Sequence, residues 1–411
     1  VGYICGPKIS SYLLAGGTVA WFALMPLIAL FGGDMVMFPG TDPISTFSPD
    51  AIWSTYIRYI GAGAVACGGI LSLIKSLPMI VRTFRDAMKG LKAGRDSDNS
   101  RTAQDLSMNI VLIGIGIIAI AMWLIPAIPV NLIGAIIIVI CGFFFATVSS
   151  RMVGIVGSSN NPVSGMAIAT LLIATMLLKA SGMIGYPGMV SAIAIGTVIC
   201  IIAAVAGDTS QDLKTGYIIG ATPKKQQIGE LIGVVVSALA IGGILYLFNN
   251  AWSYGTPELP APQAMLMKMV VEGVMGGNLP WNLVFVGVGI AIVVEILGIP
   301  VLPFAVGLYL PIYLSTPMMV GGAVRWFFER KGDNKEGIDR GVLYCSGLIA
   351  GEGLVGILLA VFAVIKVGGT SIGDIIGSCL PFSLGNWGGL VIFAALTATL
   401  FAVVSKKSKK N

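Results

Sequence analysis

The chain is a succession of apolar runs, each long enough to cross a lipid bilayer. Stretches of about 18 to 25 apolar residues recur about eleven times, at 11 to 31, 55 to 81, 107 to 125, 130 to 148, 163 to 180, 187 to 206, 228 to 248, 282 to 297, 301 to 328, 341 to 365 and 388 to 404. At 1.5 Å rise per residue, roughly 20 helical residues cross the hydrocarbon core, where no water is present to satisfy an irregular backbone. A hydrophobic content of 56% with only 11% charged residues lies outside the range of soluble domains. The 55 glycines are about twice average usage, as expected where helices approach closely or the backbone must break. The predicted fold class is therefore an all-α polytopic membrane protein, one transmembrane domain over residues 1–411, with broken or re-entrant half-helices.

Several kinds of chemistry are excluded. Histidine is absent, which removes the usual metal ligand, the neutral-pH proton shuttle and the base of serine or cysteine triads. The six cysteines (Cys5, Cys67, Cys141, Cys200, Cys345, Cys379) occur singly, without Cys-x-x-Cys spacing, and read as buried thiols rather than a zinc site or disulfide framework. The sequence contains no Gly-x-x-x-x-Gly-Lys-[Ser/Thr] loop for ATP, no His-Glu-x-x-His helix and no Gly-x-Gly-Asp motif. No enzyme activity, cofactor, metal site or nucleic-acid partner is expected; lipid is the expected surrounding. The opening Val1-Gly2-Tyr3-Ile4-Cys5-Gly6-Pro7-Lys8 has neither an initiator Met nor a signal-peptide n-region, so the chain is expected to start inside a longer protein.

The run Val301 to Phe328 holds Pro303, Pro311 and Pro317; its 28 residues would span about 42 Å as one helix, too long for a straight crossing. It reads as a broken or re-entrant pair of half-helices. With that reading the loops 82–106, 207–227 and 325–340, the C-terminal tail, Lys8, Lys75 and Arg151 share one side, holding 21 of the 25 Lys and Arg residues. Only Arg58, Lys179, Lys268 and Lys366 lie opposite. The positive-inside rule then places the basic loops and C-terminus in the cytoplasm. Segment 82–106 reads as a solvated cytoplasmic loop, and 249–281 as an external linker with a short interfacial helix near Gln263–Glu272, whose methionines serve packing or an adaptable lid.

Four constellations carry chemistry. The polar insert at 149 to 165 (Ser149, Ser150, Arg151 … Ser158, Ser159, Asn160, Asn161, Pro162) reads either as a hairpin capping the next helix or as a cavity-lining loop whose half-helix start faces a carboxylate. In the loop at 207 to 227, Asp208 and Asp212 are four apart; on a helix they share a face and can hold a proton, while Thr209-x-x-Asp212 alternatively reads as a capping box. Glu230, Glu295 and Glu352 are isolated acids in or beside apolar runs, where a carboxylate faces a cavity, is paired or is protonated. Tyr309 and Tyr313, four apart between prolines, offer two hydroxyls on one face or an interfacial aromatic belt.

Three passages together resemble the oligopeptide transporter (OPT) family, which includes the yellow stripe-like carriers of metal chelates: Ser-Ser-Arg-Met-Val-Gly-Ile-Val-Gly-Ser-Ser-Asn-Asn-Pro-Val-Ser-Gly at 149 to 165, Gly-Asp-Thr-Ser-Gln-Asp-Leu-Lys-Thr-Gly-Tyr at 207 to 217, and Gly-Ile-Pro-Val-Leu-Pro-Phe-Ala-Val-Gly-Leu-Tyr-Leu-Pro at 298 to 311. The likeness covers nearly the whole chain and is similar to the C-terminal part of the family pattern. It implies a single transporter domain, a proton-coupled importer of small peptides in the cytoplasmic membrane or, alternatively, a carrier of metal chelates; a channel or scaffold is the remaining class. The partners it implies are the substrate, protons and an N-terminal group of helices of the same protein, with a homo-oligomer left open. The expected substrate residues are Arg151, Ser158, Ser159, Asn160, Asn161, Tyr309 and Tyr313. Asp208, Asp212, Glu230, Glu295 and Glu352 are the expected proton carriers.

Overall fold

The computed structural model describes residues 1–92, 100–125, 130–156, 163–256, 259, 261–276, 280–330, 335–379 and 385–406. Each of the apolar runs is helical. Helix α1 (Gly2–Cys5) leads to α2 (Pro7–Thr18), which continues through a π turn (Val19–Leu24) into α3 (Met25–Gly32). A second π turn (Trp53–Ile57) joins α4 (Pro49–Ile52) to α5 (Arg58–Lys92). There follow α6 (Met108–Leu124), α7 (Leu132–Val156), α8 (Val163–Ala180), α9 (Gly185–Ile219), α10 (Pro223–Ala251), α11 (Pro262–Gly276) and α12 (Trp281–Ile296). The run at 301 to 328 is indeed broken, into α13 (Val301–Tyr309) and α14 (Ile312–Arg330). Last come α15 (Lys335–Val364), a hairpin of β1 (Lys366–Val367) and β2 (Thr370–Ser371), α16 (Ile372–Cys379) and α17 (Gly385–Ser405). Six of the described helices are long and apolar enough to span a bilayer, with further shorter apolar helices between them. The protein is an all-α polytopic membrane protein.

Two compact units organise the chain: Val1–Val65, Ala240–Pro262 and Asn282–Asn411 form the first, Ala66–Leu239 and Gln263–Trp281 the second. Lipid tails are as apolar as leucine, so helices in such a unit associate through close packing and hydrogen bonds. In the first unit, α2 and α13 cross at glycines. A Cβ on Gly16 would collide with the backbone of Phe304 and Leu308, and one on Gly307 with the backbone of Leu13. Helix α14 runs antiparallel to α2, with Gly17 against Ser315 and Gly322 against Ser10. Its Arg325 donates to the carbonyls of Tyr3 (3.1 Å) and Ile4 (2.8 Å), satisfying the end of α1, and pairs with Glu329 at 2.7 Å. Tyr3 in turn donates to Ile338 O at 3.4 Å, Tyr344 bonds Thr399 at 2.8 Å, and Arg340 donates to Lys406 O. Lys8, Arg325, Arg330, Arg340 and Lys406 are thereby gathered at one end of this unit.

The second unit is built on α7, α8, α9 and α11 around Val148, Ala174, Leu178, Ala192, Ile195 and Ile199. Three segments read as loops are helical in part. Residues 149 to 156 continue α7 because their polar groups are consumed by α9: Ser149 is buried and donates to Ala203 O, and Ser210 donates to Ser150 O at 2.9 Å. Residues 207 to 219 continue α9, which ends at Gly220 in the left-handed region (φ 71°), a conformation glycine adopts without a Cβ penalty. Thr209 therefore lies inside a helix, and the capping-box reading of Thr209-x-x-Asp212 does not hold. Residues 82 to 92 extend α5, so only part of 82–106 is loop. Its end is pinned rather than free: Arg101 donates to Thr222 Oγ1 (2.9 Å) and Gly220 O (2.8 Å), and Gln227 accepts from Leu106 N at 2.9 Å.

Helix α11 packs one face into the second unit. Leu266, Met269, Val271 and Met275 are buried, and Lys179 closes its end by donating to Val274 O at 2.6 Å. Methionine here fills gaps in packing. The thiols are also less uniformly buried than expected, since Cys345 is buried, Cys141 and Cys200 half-buried and Cys5 exposed.

Candidate functional site

A cavity of about 550 Å³ opens in the first unit where the run at 301 to 328 breaks. Helical geometry explains how its walls come together. In a regular α-helix, Asp50 and Arg58, eight apart, would point about 80° away from each other at 100° per residue. The intervening π turn Trp53–Ile57 absorbs one extra residue, which brings the two to within about 20° of one face. Asp50, Ala51, Trp53, Ser54 and Arg58 accordingly all line the cavity. Gly61, three residues beyond Arg58 and on its face, lies against the backbone of Tyr309. That close approach sets Arg58 and Tyr309 side by side on the cavity wall.

The opposite wall is the break itself: Tyr309 and Leu310 close α13, and Pro311, Tyr313 and Leu314 open α14. Pro311 cannot donate to a continuing ladder, so the chain turns there. The positive end of the 19-residue α14 thus begins at the cavity. Thr256 and Gly255, from the segment after α10, complete the lining.

Electrostatically the cavity is bipolar. Arg58 is half-buried and Asp50 exposed, both on its wall, and neither forms an ion pair among the described residues. The Trp53 indole Nε1 is buried with no acceptor among the described residues. A fixed cation and a helix N-terminus favour an anionic group, and Asp50 favours a cationic one.

The sequence-predicted residues divide into three sets. Tyr309 and Tyr313 both reach this cavity, but not on one helical face: the break separates them, leaving Tyr309 buried at the end of α13 and Tyr313 exposed at the start of α14. Arg151 is an exposed residue of α7 rather than part of a loop, and Ser158, Ser159, Asn160 and Asn161 lie outside the described residues. Among the acids, Asp208 and Asp212 are exposed on one stretch of α9; Glu230 on α10 is half-buried with Oε1 shielded and unpartnered. Glu295 near the end of α12 is half-buried, and Glu352 on α15 is exposed. The first three belong to the second unit and the last two to the first.

Asp50, Trp53, Ser54, Arg58 and Thr256 were not foreseen. A signal for one existed: Arg58 is among the four basic residues on the sparse side, and it stands at the start of an apolar run, where a charge usually marks a pathway or a partner.

Broken apolar helices around a largely apolar cavity that carries one charge of each sign are features found in membrane transporters. The profile of the OPT oligopeptide transporter protein family matches residues 1–363, and the chain belongs to that family. It is 28% identical over 462 aligned positions to a Haemophilus influenzae protein described as “Putative oligopeptide transporter”, covering all of this chain and 72% of that protein. Two relatives described as “Probable metal-nicotianamine transporter”, from Oryza sativa subsp. japonica and Arabidopsis thaliana, are 23% and 22% identical over 89% of this chain. The chain spans 56% and 58% of their lengths, little more than half.

Proposed function

We propose that this chain forms the substrate-binding part of a secondary carrier, not an enzyme, that imports small oligopeptides with protons across the cytoplasmic membrane. The bipolar cavity at the α13–α14 break carries this reading, because a peptide brings both a carboxylate and an ammonium group to a site offering both complements. The bacterial relative's description supports a peptide over other cargo. With the basic end of the first unit in the cytoplasm, the cavity lies at the other end of α14, about 25 Å away by helical rise, and opens toward the outer side.

Without histidine, the transported proton rides on carboxylates, for which Asp208, Asp212, Glu230, Glu295 and Glu352 are the proposed carriers. Glu295 leads because it is half-buried within an apolar helix of the first unit, the unit that holds the cavity. Glu295→Gln mimics the protonated acid at the same size. In proteoliposomes of the complete protein it should keep peptide exchange and lose accumulation driven by a pH gradient. Unaltered pH-driven accumulation in the variant would remove Glu295 from the coupling mechanism.

The second reading, carriage of metal chelates, rests on the plant relatives' descriptions. A metal that arrives already chelated needs no protein ligands, so the absence of histidine does not weigh against it. Competition of labelled peptide uptake by an iron chelate separates the two.

A further inference from the structure

We infer that the cavity grips the two ends of a short peptide separately: Arg58 takes the C-terminal carboxylate, and Asp50 takes the N-terminal ammonium group. This rests on the peptide reading above and adds the polarity of the bound substrate. Asp50 and Arg58 are opposite charges on one wall, brought onto one face by the π turn, yet they do not pair with each other or with another described residue. Eight positions, one of them absorbed by the π turn, set their backbones roughly 11 Å apart along the axis. An extended chain covers about 3.3–3.6 Å per residue, so the termini of a tripeptide or tetrapeptide match that interval.

The carboxylate end is the better specified. Arg58 shares the cavity wall with Tyr309, whose backbone is packed against Gly61 one turn beyond Arg58. A planar guanidinium presents several N–H groups to a carboxylate. The first turn of α14 adds its positive end. Tyr313, Leu310 and Leu314 leave an apolar surface for the peptide's side chains.

The test compares trialanine having free ends with its C-terminal amide and its N-acetyl derivative, as ligands of the complete protein in detergent and as substrates in proteoliposomes. Unmodified protein should bind free trialanine about tenfold or more tightly than either blocked form, the scale of a hydrogen bond to a charged group. Arg58→Gln should abolish the preference over the amide and keep the preference over the N-acetyl form; Asp50→Asn should do the reverse. Each variant carries its own folding control in the preference it retains. If Arg58→Gln yields no folded protein, Arg58→Lys, which keeps charge without the fork, should weaken the carboxylate preference alone. Unchanged end-group preferences in both charge variants overturn the inference, as does uptake of trialanine by the unmodified protein with no preference for free ends; either result leaves peptide transport standing. No binding or uptake of any of the three peptides by the unmodified protein overturns both.

Discussion

Tyr3 illustrates how much a single side chain does at the basic end of the first unit. Its ring is buried with Val324, Phe328, Cys345, Leu400 and Val404, so residues from α1, α14, α15 and α17 meet on it. A Cβ on Gly341 would overlap the Tyr3 ring, which explains a glycine there. Burial pushes the Tyr3 phenol up to about 12 from its ordinary 10, the nearby Cys345 adding to the effect and Arg325 opposing it. A raised pKa in the folded state means that folding favours the protonated phenol. The contribution is complete below about pH 10 and is lost as pH rises toward 12. The melting temperature in detergent should therefore fall over that window, and Tyr3→Phe should flatten the fall while lowering stability at neutral pH modestly, through the lost bond to Ile338. An identical alkaline decline in the variant would assign it to other groups. None of this was readable from the sequence, where Tyr3 is one tyrosine in a short preamble. The cavity residues were equally hidden: Asp50, Thr256 and Tyr313 are separated by long stretches of chain, and no periodicity reports that they meet. What the sequence did carry was the position of the tyrosines beside prolines, although the helix break turned the supposed shared face into two walls.

Among the helices, glycine content was legible as close packing, but not which glycines do it. Gly16 and Gly307 are pressed against backbone, whereas Gly229 and Gly233 on α10 have open space around a notional Cβ. Gly16→Val or Gly307→Val should cost at least the roughly 1–3 kcal/mol of an overpacked core, since backbone rather than a flexible side chain must move. Gly229→Ala should be neutral or stabilising by up to about 1 kcal/mol, the helix-propensity difference. Thermal unfolding of the detergent-solubilised variants, followed by gel filtration, measures both; a harmless Gly307→Val would mean that α2 and α13 do not pack as described. Proline in the run at 301 to 328 was the stronger sequence signal because it acts locally: a missing N–H and a ring clash break a helix wherever it sits. The extensions of α5, α7 and α9 beyond their apolar runs were missed for the complementary reason. Polar residues such as Ser149 and Ser210 read as loop by composition, yet here their hydroxyls donate to backbone carbonyls of the neighbouring helix, Ala203 O and Ser150 O.

For the molecule as a whole, helix lengths and packing constrain the sidedness that the charge bias suggests. The 30 residues of α15 rise about 45 Å, more than the hydrocarbon thickness, so Lys335 and Lys366 belong on opposite faces. The antiparallel packing of α2 on α14 puts Lys8 and Arg330 at one end of the first unit, and the bonds of α15 to α17 bring Arg340 and Lys406 together. The basic end is expected in the cytoplasm. In a background lacking Cys5, Cys67, Cys141, Cys200, Cys345 and Cys379, Lys335→Cys and Lys225→Cys should react with an impermeant maleimide only after the membrane is opened, and Lys366→Cys in intact cells. Reaction of Lys335→Cys and Lys366→Cys from the same side would mean that α15 does not cross. Reaction of Lys335→Cys from outside, with Lys366→Cys protected, would invert the orientation and turn the Arg58 cavity toward the cytoplasm, making it an exit rather than an entry for imported peptide.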